Sequence, residues 1–145
     1  MKGNFSMEIR FASVSDIDNL CKYDRHISKQ ELEASISMKR VYIAEEGGVF
    51  IGWLRYNLFW DNTPFMNMLF FLENYRGKGN GKAMVEHWER ELKSLGFGTV
   101  MTSTASDEYA QHFYNRLGYA AVGGFTQEGE PYELILSKRI YTNPF

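Results

Sequence analysis

The stretch that decides the fold is Tyr75-Arg76-Gly77-Lys78-Gly79-Asn80-Gly81-Lys82-Ala83. It closes a mostly apolar run, Phe65 to Leu72, which reads as a central strand covered on both faces. It opens a segment in which Ala83, Val85, Trp88, Leu92 and Leu95 recur at roughly helical spacing, with Gly96 as a left-handed stop. A glycine-rich turn between a strand and a helix can point its N–H groups inward, with no Cβ to block close approach. The helix start adds further N–H groups and a positive dipole end, and Arg76, Lys78 and Lys82 add charge. Such a turn suits a phosphate-type anion; a basic surface turn is the plain alternative.

Two familiar phosphate loops do not fit. A Walker A loop needs a glycine five positions before Gly81-Lys82, where Arg76 stands, and a Ser or Thr after it, where Ala83 stands. The dinucleotide fingerprint needs a third glycine at Lys82 or at Met84, depending on the starting pair.

Upstream, Met7 to Ala12 alternates as a half-buried strand, and Ser15 with Asp18 resembles a capping box opening a helix. A second helix spans about Ser28 to Met38, with Leu32, Ala34 or Ser35, Ile36 and Met38 for its inner face. Val41 to Glu46 and Val49 to about Trp60 read as strands joined by the hairpin signal Gly47-Gly48, and Asp61-Asn62-Thr63-Pro64 as the turn that follows. Downstream come a strand over Gly98 to Ser103, a helix over Asp107 to Leu117 and a closing hairpin, Tyr119 to Phe125 with Tyr132 to Leu136. The order is βααβββαβαββ, an α/β chain whose second half implies a parallel crossover within a mixed sheet.

With 145 residues the chain reads as one domain over 1–145. Lys plus Arg is 16 against 18 for Asp plus Glu, a net charge of −2, which disfavours a duplex nucleic-acid footprint. No apolar leader follows Met1, and the longest purely apolar run, Met68 to Leu72, is far short of a membrane span. The single Cys21 closes no disulfide within the chain and fits a reducing cytoplasm. His26, His87 and His112 are scattered and form no metal set, so no metal is expected.

A second motif lies beyond the next strand: Asp107-Glu108-Tyr109-Ala110-Gln111-His112-Phe113-Tyr114-Asn115-Arg116-Leu117-Gly118-Tyr119. Together with Arg76-x-x-Gly79-x-Gly81, it resembles the GNAT superfamily of acyl-CoA-dependent N-acetyltransferases. Ala110, Phe113, Tyr114, Gly118 and Tyr119 match that family's later helix, and the element order matches over nearly the whole chain. Asp107 departs from it, standing where many members have Asn near the pantetheine arm.

The resemblance implies acetyl-CoA as cosubstrate and a primary amine as acceptor; a small molecule is the expected acceptor, with a protein or peptide amine as the alternative. It puts the pyrophosphate on the amides of Gly77, Lys78, Gly79, Asn80, Gly81 and Lys82 beside Arg76. The pantetheine and thioester fall to the backbone of Leu69, Phe70 and Phe71, with Asp107 nearby. Tyr114 is the expected general acid for the departing thiolate, its phenol having a reference pKa of ~10. Glu73 is the candidate base, Asp61 being another end for a water chain. His26, Trp60, Asp61 and Tyr132 are candidate acceptor residues, aromatic rings and carboxylates suiting a cationic amine. A homodimer is common in the family. A CoA-binding module without turnover remains the alternative, and a nucleic-acid loop at Arg76–Gly79 a weaker one.

Overall fold

In a computed structural model of the chain, residues 6–141 are described. The N-terminal reading on Met1 to Phe5 lies outside them. The elements run β1 (Met7–Phe11), α1 (Ile17–Tyr23), α2 (Lys29–Ser37), β2 (Val41–Glu46), β3 (Val49–Phe59), β4 (Thr63–Phe71), α3 (Asn80–Ser94), β5 (Thr99–Ala105), α4 (Ala110–Arg116), β6 (Ala120–Phe125) and β7 (Glu133–Arg139). This is the expected order. The strands form one mixed sheet, β1-β2-β3-β4-β5-β7-β6. β4 and β5 run parallel in a short ladder, Phe65 opposite Met101 and Met66 opposite Thr102.

Two compact units divide the chain: residues 6–56 with 68–84, and 57–67 with 85–141. In the first, Leu20, Leu32, Val41, Ile43 and Trp53 form a buried cluster. Gly47 (φ 58°) and Gly48 (φ 79°) make the β2–β3 hairpin, both in the left-handed region that such a two-residue turn requires. Ser28 caps α2, its Oγ accepting the Glu31 N–H at 3.2 Å. Leu32 and Ile36 face inward as expected, but Met38 is exposed, because the helix ends at Ser37. The first helix also begins differently. Arg10 grips the Asp16 carboxylate with two 2.8 Å bonds, and the Ser13 N–H donates to it at 2.7 Å. The cap is therefore Ser13–Asp16 on a 3-10 turn, not Ser15–Asp18, and α1 follows at Ile17.

In the second unit, Trp60 (φ 54°) and Asp61 (φ 63°) make the turn, and the strand resumes at Thr63. Pro64 belongs to β4 and not to the turn; as its second residue it loses little by lacking an N–H. The expectation of a strand covered on both faces fails farther along β4, where Asn67 of this unit and Phe70 of the first are exposed. β5 alternates strictly, with Val100, Thr102 and Thr104 inward, and pairs with β7 from Thr99↔Arg139 to Ala105↔Glu133. Glu89 of α3 is buried, its Oε2 accepting the Tyr119 hydroxyl and its Oε1 the Lys138 ammonium, both at 2.7 Å. β6 lies at the end of the sheet, and Val122 forms a bulge between Ala121↔Leu136 and Gly123↔Ile135.

Candidate active site

α3 starts at Asn80, three residues earlier than its apolar pattern suggests, so the glycine turn runs directly into it. Ala83 is exposed and Met84 buried in its stead, and Leu95 is exposed past the helix end. Gly77 (φ 71°) and Gly79 (φ 84°) both adopt left-handed backbone, on either side of Lys78. A Cβ at either would meet nothing within 4 Å, so the backbone angle and not crowding calls for glycine here. Asn80 Nδ2 ties the turn together by donating to the Tyr75 carbonyl at 3.0 Å. The Ala83 N–H donates to the Gly79 carbonyl at 3.0 Å as a helical bond, so the amides of Asn80 and Gly81 stand ahead of it at the positive end of the dipole. No acidic residue occupies that first turn. The turn has the parts of an anion cradle.

Arg76 is anchored back on β4. Its Nε donates to the Phe71 carbonyl at 2.7 Å and its guanidinium lies 4.7 Å from the Phe70 ring centroid. Among the described residues, only one of its five donors makes a hydrogen bond. Lys78 Nζ sits 5.7 Å from the Tyr75 ring centroid. β4 ends with Leu69 half-buried, Phe70 36% exposed and Phe71 buried. β3 approaches it so closely that a Cβ on Gly52 would lie 2.5 Å from the Phe70 carbonyl oxygen. Glu73 is exposed in the 3-10 turn Glu73–Tyr75.

Tyr114 is 8% exposed on α4. Burial pushes its phenol up to about 12, and hydrogen bonding with the Thr102 side chain pulls the other way. Thr102 in turn donates to the Met66 carbonyl at 3.0 Å. The rings of Phe113 and Tyr119 meet Tyr114 edge-on, with centroids 5.0 and 5.6 Å away. Asp107 is exposed in the turn before α4. The helix begins later than that residue, because Gln111 Nε2 donates to the Ser106 carbonyl at 2.9 Å and the Glu108 N–H to Ala105 at 3.0 Å, a local turn.

The acceptor candidates are placed as follows. His26 is exposed, and its backbone N–H donates to Asp24 Oδ1 at 3.2 Å. Trp60 is 80% exposed, stacked on Phe59 at 5.1 Å, with exposed Asp61 beside it in the same turn. Tyr132 covers Gly124, where a Cβ would lie 2.6 Å from its hydroxyl. Within the first unit the structure brings Phe70, Phe71 and Arg76 together; within the second it brings Trp60 beside Asp61. Glu73 and Asp107 are each exposed in a turn of their own unit.

Sequence reasoning passed over Thr102, although a hydroxyl at an inward position of an alternating strand is a signal. It also passed over the role of Asp24, buried at the end of α1. Asp24 accepts from Arg55 Nε at 2.7 Å, Arg55 Nη2 at 3.2 Å and Trp53 Nε1 at 3.1 Å. Burial opposes its charge, yet the Arg55 guanidinium together with the His26 and Trp53 N–H donors holds the carboxyl below its usual range. Among the described residues, no group of three His, Cys, Asp or Glu side chains could hold a metal.

The sequence model of the acetyltransferase (GNAT) family matches residues 11–119. No curated protein matches the chain. Solved structures share the fold. The PaiA N-acetyltransferase of Thermoplasma acidophilum in complex with coenzyme A is 18% identical, with TM-score 0.74 over 92% of this chain and 99% of that one. The N-acetylglutamate synthase of Neisseria gonorrhoeae, complexed with coenzyme A and N-acetyl-glutamate, is 17% identical, with TM-score 0.79 over 97% of this chain and 36% of that one. Arabidopsis thaliana Naa50, in complex with the bisubstrate analogue CoA-Ac-MVNAL, is 13% identical, with TM-score 0.76 over 92% and 98%.

Proposed function

The chain belongs to the acetyltransferase (GNAT) family, and from that premise we propose that it moves an acetyl group from acetyl-CoA to a primary amine of a small molecule, as one catalytic domain. The observation that carries this reading is the turn Gly77–Gly79, two left-handed glycines leading straight into the start of α3. It offers backbone donors and a dipole end to a diphosphate. The proposed cradle is Gly77 to Lys82 with the Arg76 fork. The pantetheine arm takes the backbone of Leu69, Phe70 and Phe71, beyond the last β4–β5 pair at Met66, as an added strand would. Solved neighbours bound to coenzyme A support the choice of carrier.

In the proposed reaction the neutral amine attacks the thioester carbon. A C–N bond forms, the C–S bond breaks, and the proton shed by nitrogen leaves through water, with Glu73 or Asp61 as candidate ends of that path. Sulfur leaves as a thiolate facing the Tyr114 phenol. A phenol at about 12 is protonated throughout the physiological range. It also holds its proton more tightly than a free thiol, whose reference value is ~8.5. Tyr114 therefore acts first as a hydrogen-bond donor to the departing sulfur; the proton passes to sulfur as charge gathers there, and the phenol takes back a proton from the water that received the one shed by nitrogen. The acceptor side is assigned to His26, Trp60, Asp61 and Tyr132, with Asp107 near the carrier. The neighbours were solved with both a small acetylated amino acid and a peptide analogue, so a peptide amine is the second reading. The free thiol of Cys21 suits the cytoplasm as the setting.

The test is thiol release from acetyl-CoA against polyamines, amino sugars, amino acids and short peptides, beside calorimetry with CoA. Turnover with one class is expected, and Tyr114→Phe should lower kcat on the order of 100-fold while CoA affinity holds. Tight CoA binding without turnover on any amine would instead indicate a carrier-binding module; absence of CoA binding would overturn the proposal.

A further inference from the structure

Within the second unit, the later turns of α3 and the end of β7 border a cleft of about 380 Å³, a volume that suits a small molecule. Four cations line it, Arg90, Lys93, Lys138 and Arg139, against two carboxylates, Glu86 and Glu89, in a chain whose net charge is −2. Glu86, Glu89, Arg90 and Lys93 follow the spacing that places them on one helix face. Lys138 and Ile140, two residues apart, share a side at the end of β7. Between them Arg139 has its guanidinium 5.3 Å from the Tyr141 ring centroid.

An ordinary solvated helix face pairs opposite charges four residues apart. Here that pairing is broken. Glu89 stands four residues before Lys93, but its oxygens accept from the Tyr119 hydroxyl and the Lys138 ammonium, both at 2.7 Å. Glu86 stands four residues before Arg90, yet among the described residues neither Arg90 nor Lys93 makes an ion pair. Both are exposed, and like charges three residues apart repel, a repulsion that an anion between them relieves. Lys138 is the fixed member. Its stem lies 3.3 Å from where a Cβ on Gly118 would stand, and among the described residues one of its three donors makes a hydrogen bond. We infer that this cleft is a binding site for a small anion carrying a phosphate group or a pair of carboxylates. The Arg90 fork takes two of its oxygens, Lys93 and Lys138 add charge and donors, and Ile140 meets its organic body. The site shares no residue with the proposed acetyl-CoA cradle.

The test is backbone-amide NMR of the full chain, titrated at constant ionic strength with inorganic phosphate, glycerol 3-phosphate and succinate. Saturable shifts are expected at Arg90, Lys93, Lys138 and Ile140, and comparison of the phosphates with succinate tells which head group the cleft prefers. Arg90→Gln combined with Lys93→Gln should raise the Kd at least about tenfold, the loss of one or two charge-assisted bonds. Lys93→Glu alone, which reverses one exposed charge, should do the same, and Lys93→Arg should bind nearly as well as the parent. The urea midpoints of all three variants should match the parent, since both side chains are exposed. Saturating CoA should leave the shifts in place. No saturation with any of the three anions, shifts spread evenly over the lysines of the chain, an unaltered Kd in both charge-removing variants, or displacement by CoA would overturn the inference.

Discussion

Replacing Asp24 by alanine removes the one carboxylate that four donors share. Its side chain is fully buried and that of Arg55 is 8% exposed, so water cannot take over the freed guanidinium. Breaking a buried ion pair on one side costs about 3–5 kcal/mol, chiefly from the charge left behind. The Trp53 indole N–H, buried against the same oxygen, adds about 1–3 kcal/mol when it is left without an acceptor. These penalties overlap because they share one oxygen, so the expected loss is about 4–6 kcal/mol, against a whole stability of about 5–15 kcal/mol. Urea denaturation followed by tryptophan fluorescence measures it. Asp24→Leu combined with Arg55→Met should be milder than Asp24→Ala alone, since no orphan charge remains. The sign with pH follows from the lowered pKa: the contribution is complete above the ordinary carboxylate range and vanishes as pH falls through the still lower folded value. A loss below about 1 kcal/mol for Asp24→Ala, or a double variant weaker than the single, would refute the account.

Two further outcomes concern the strand and the helix proposed to serve catalysis. Gly52→Ala places a methyl 2.5 Å from the Phe70 carbonyl oxygen, and backbone cannot swing aside as a side chain would. It should cost about 1–3 kcal/mol in chemical denaturation and raise the acetyl-CoA KM, by pushing β4 out of line; unaltered stability would show that the strands yield freely. Tyr114, raised to about 12 from about 10, contributes stability that is whole below pH 10 and is lost as pH climbs from 10 to 12. Between pH 9 and 11 the parent protein should lose about 1.4 kcal/mol more than Tyr114→Phe; parallel stability curves would contradict the burial of that phenol.

Most of the architecture was legible because its signals are local. Gly47-Gly48 permits only a tight hairpin, Ser28 is a cap, and Val100, Thr102 and Thr104 alternate with outward residues. Errors arose where a distant partner chose between local options. Asp16 rather than Asp18 became the capping acid because Arg10, in the preceding strand, holds it. Pro64 entered β4 because Trp60 and Asp61 absorbed the left-handed angles a turn needs. The glycine turn could be read from spacing alone, but its junction with α3 could not, since Asn80-Gly81-Lys82 is poor helix-forming sequence that the Gly79 carbonyl nonetheless recruits. Thr102 stayed hidden for a different reason: its bond to the Met66 carbonyl is made with a strand distant in sequence, and no pattern of residue types encodes that.

The end of the sheet carries a practical consequence. Ala120-Ala121-Val122-Gly123-Gly124-Phe125 holds no charge, and Val122 and Phe125 face solvent. Such a border is an open seam onto which an extended peptide from any neighbour can zip, and charged or proline residues, which usually guard it, are missing. The kink at Val122 is the one irregularity that spoils the fit. Concentrated solutions of this protein are therefore expected to thicken into ribbons sooner if that kink is straightened than if the interior is loosened.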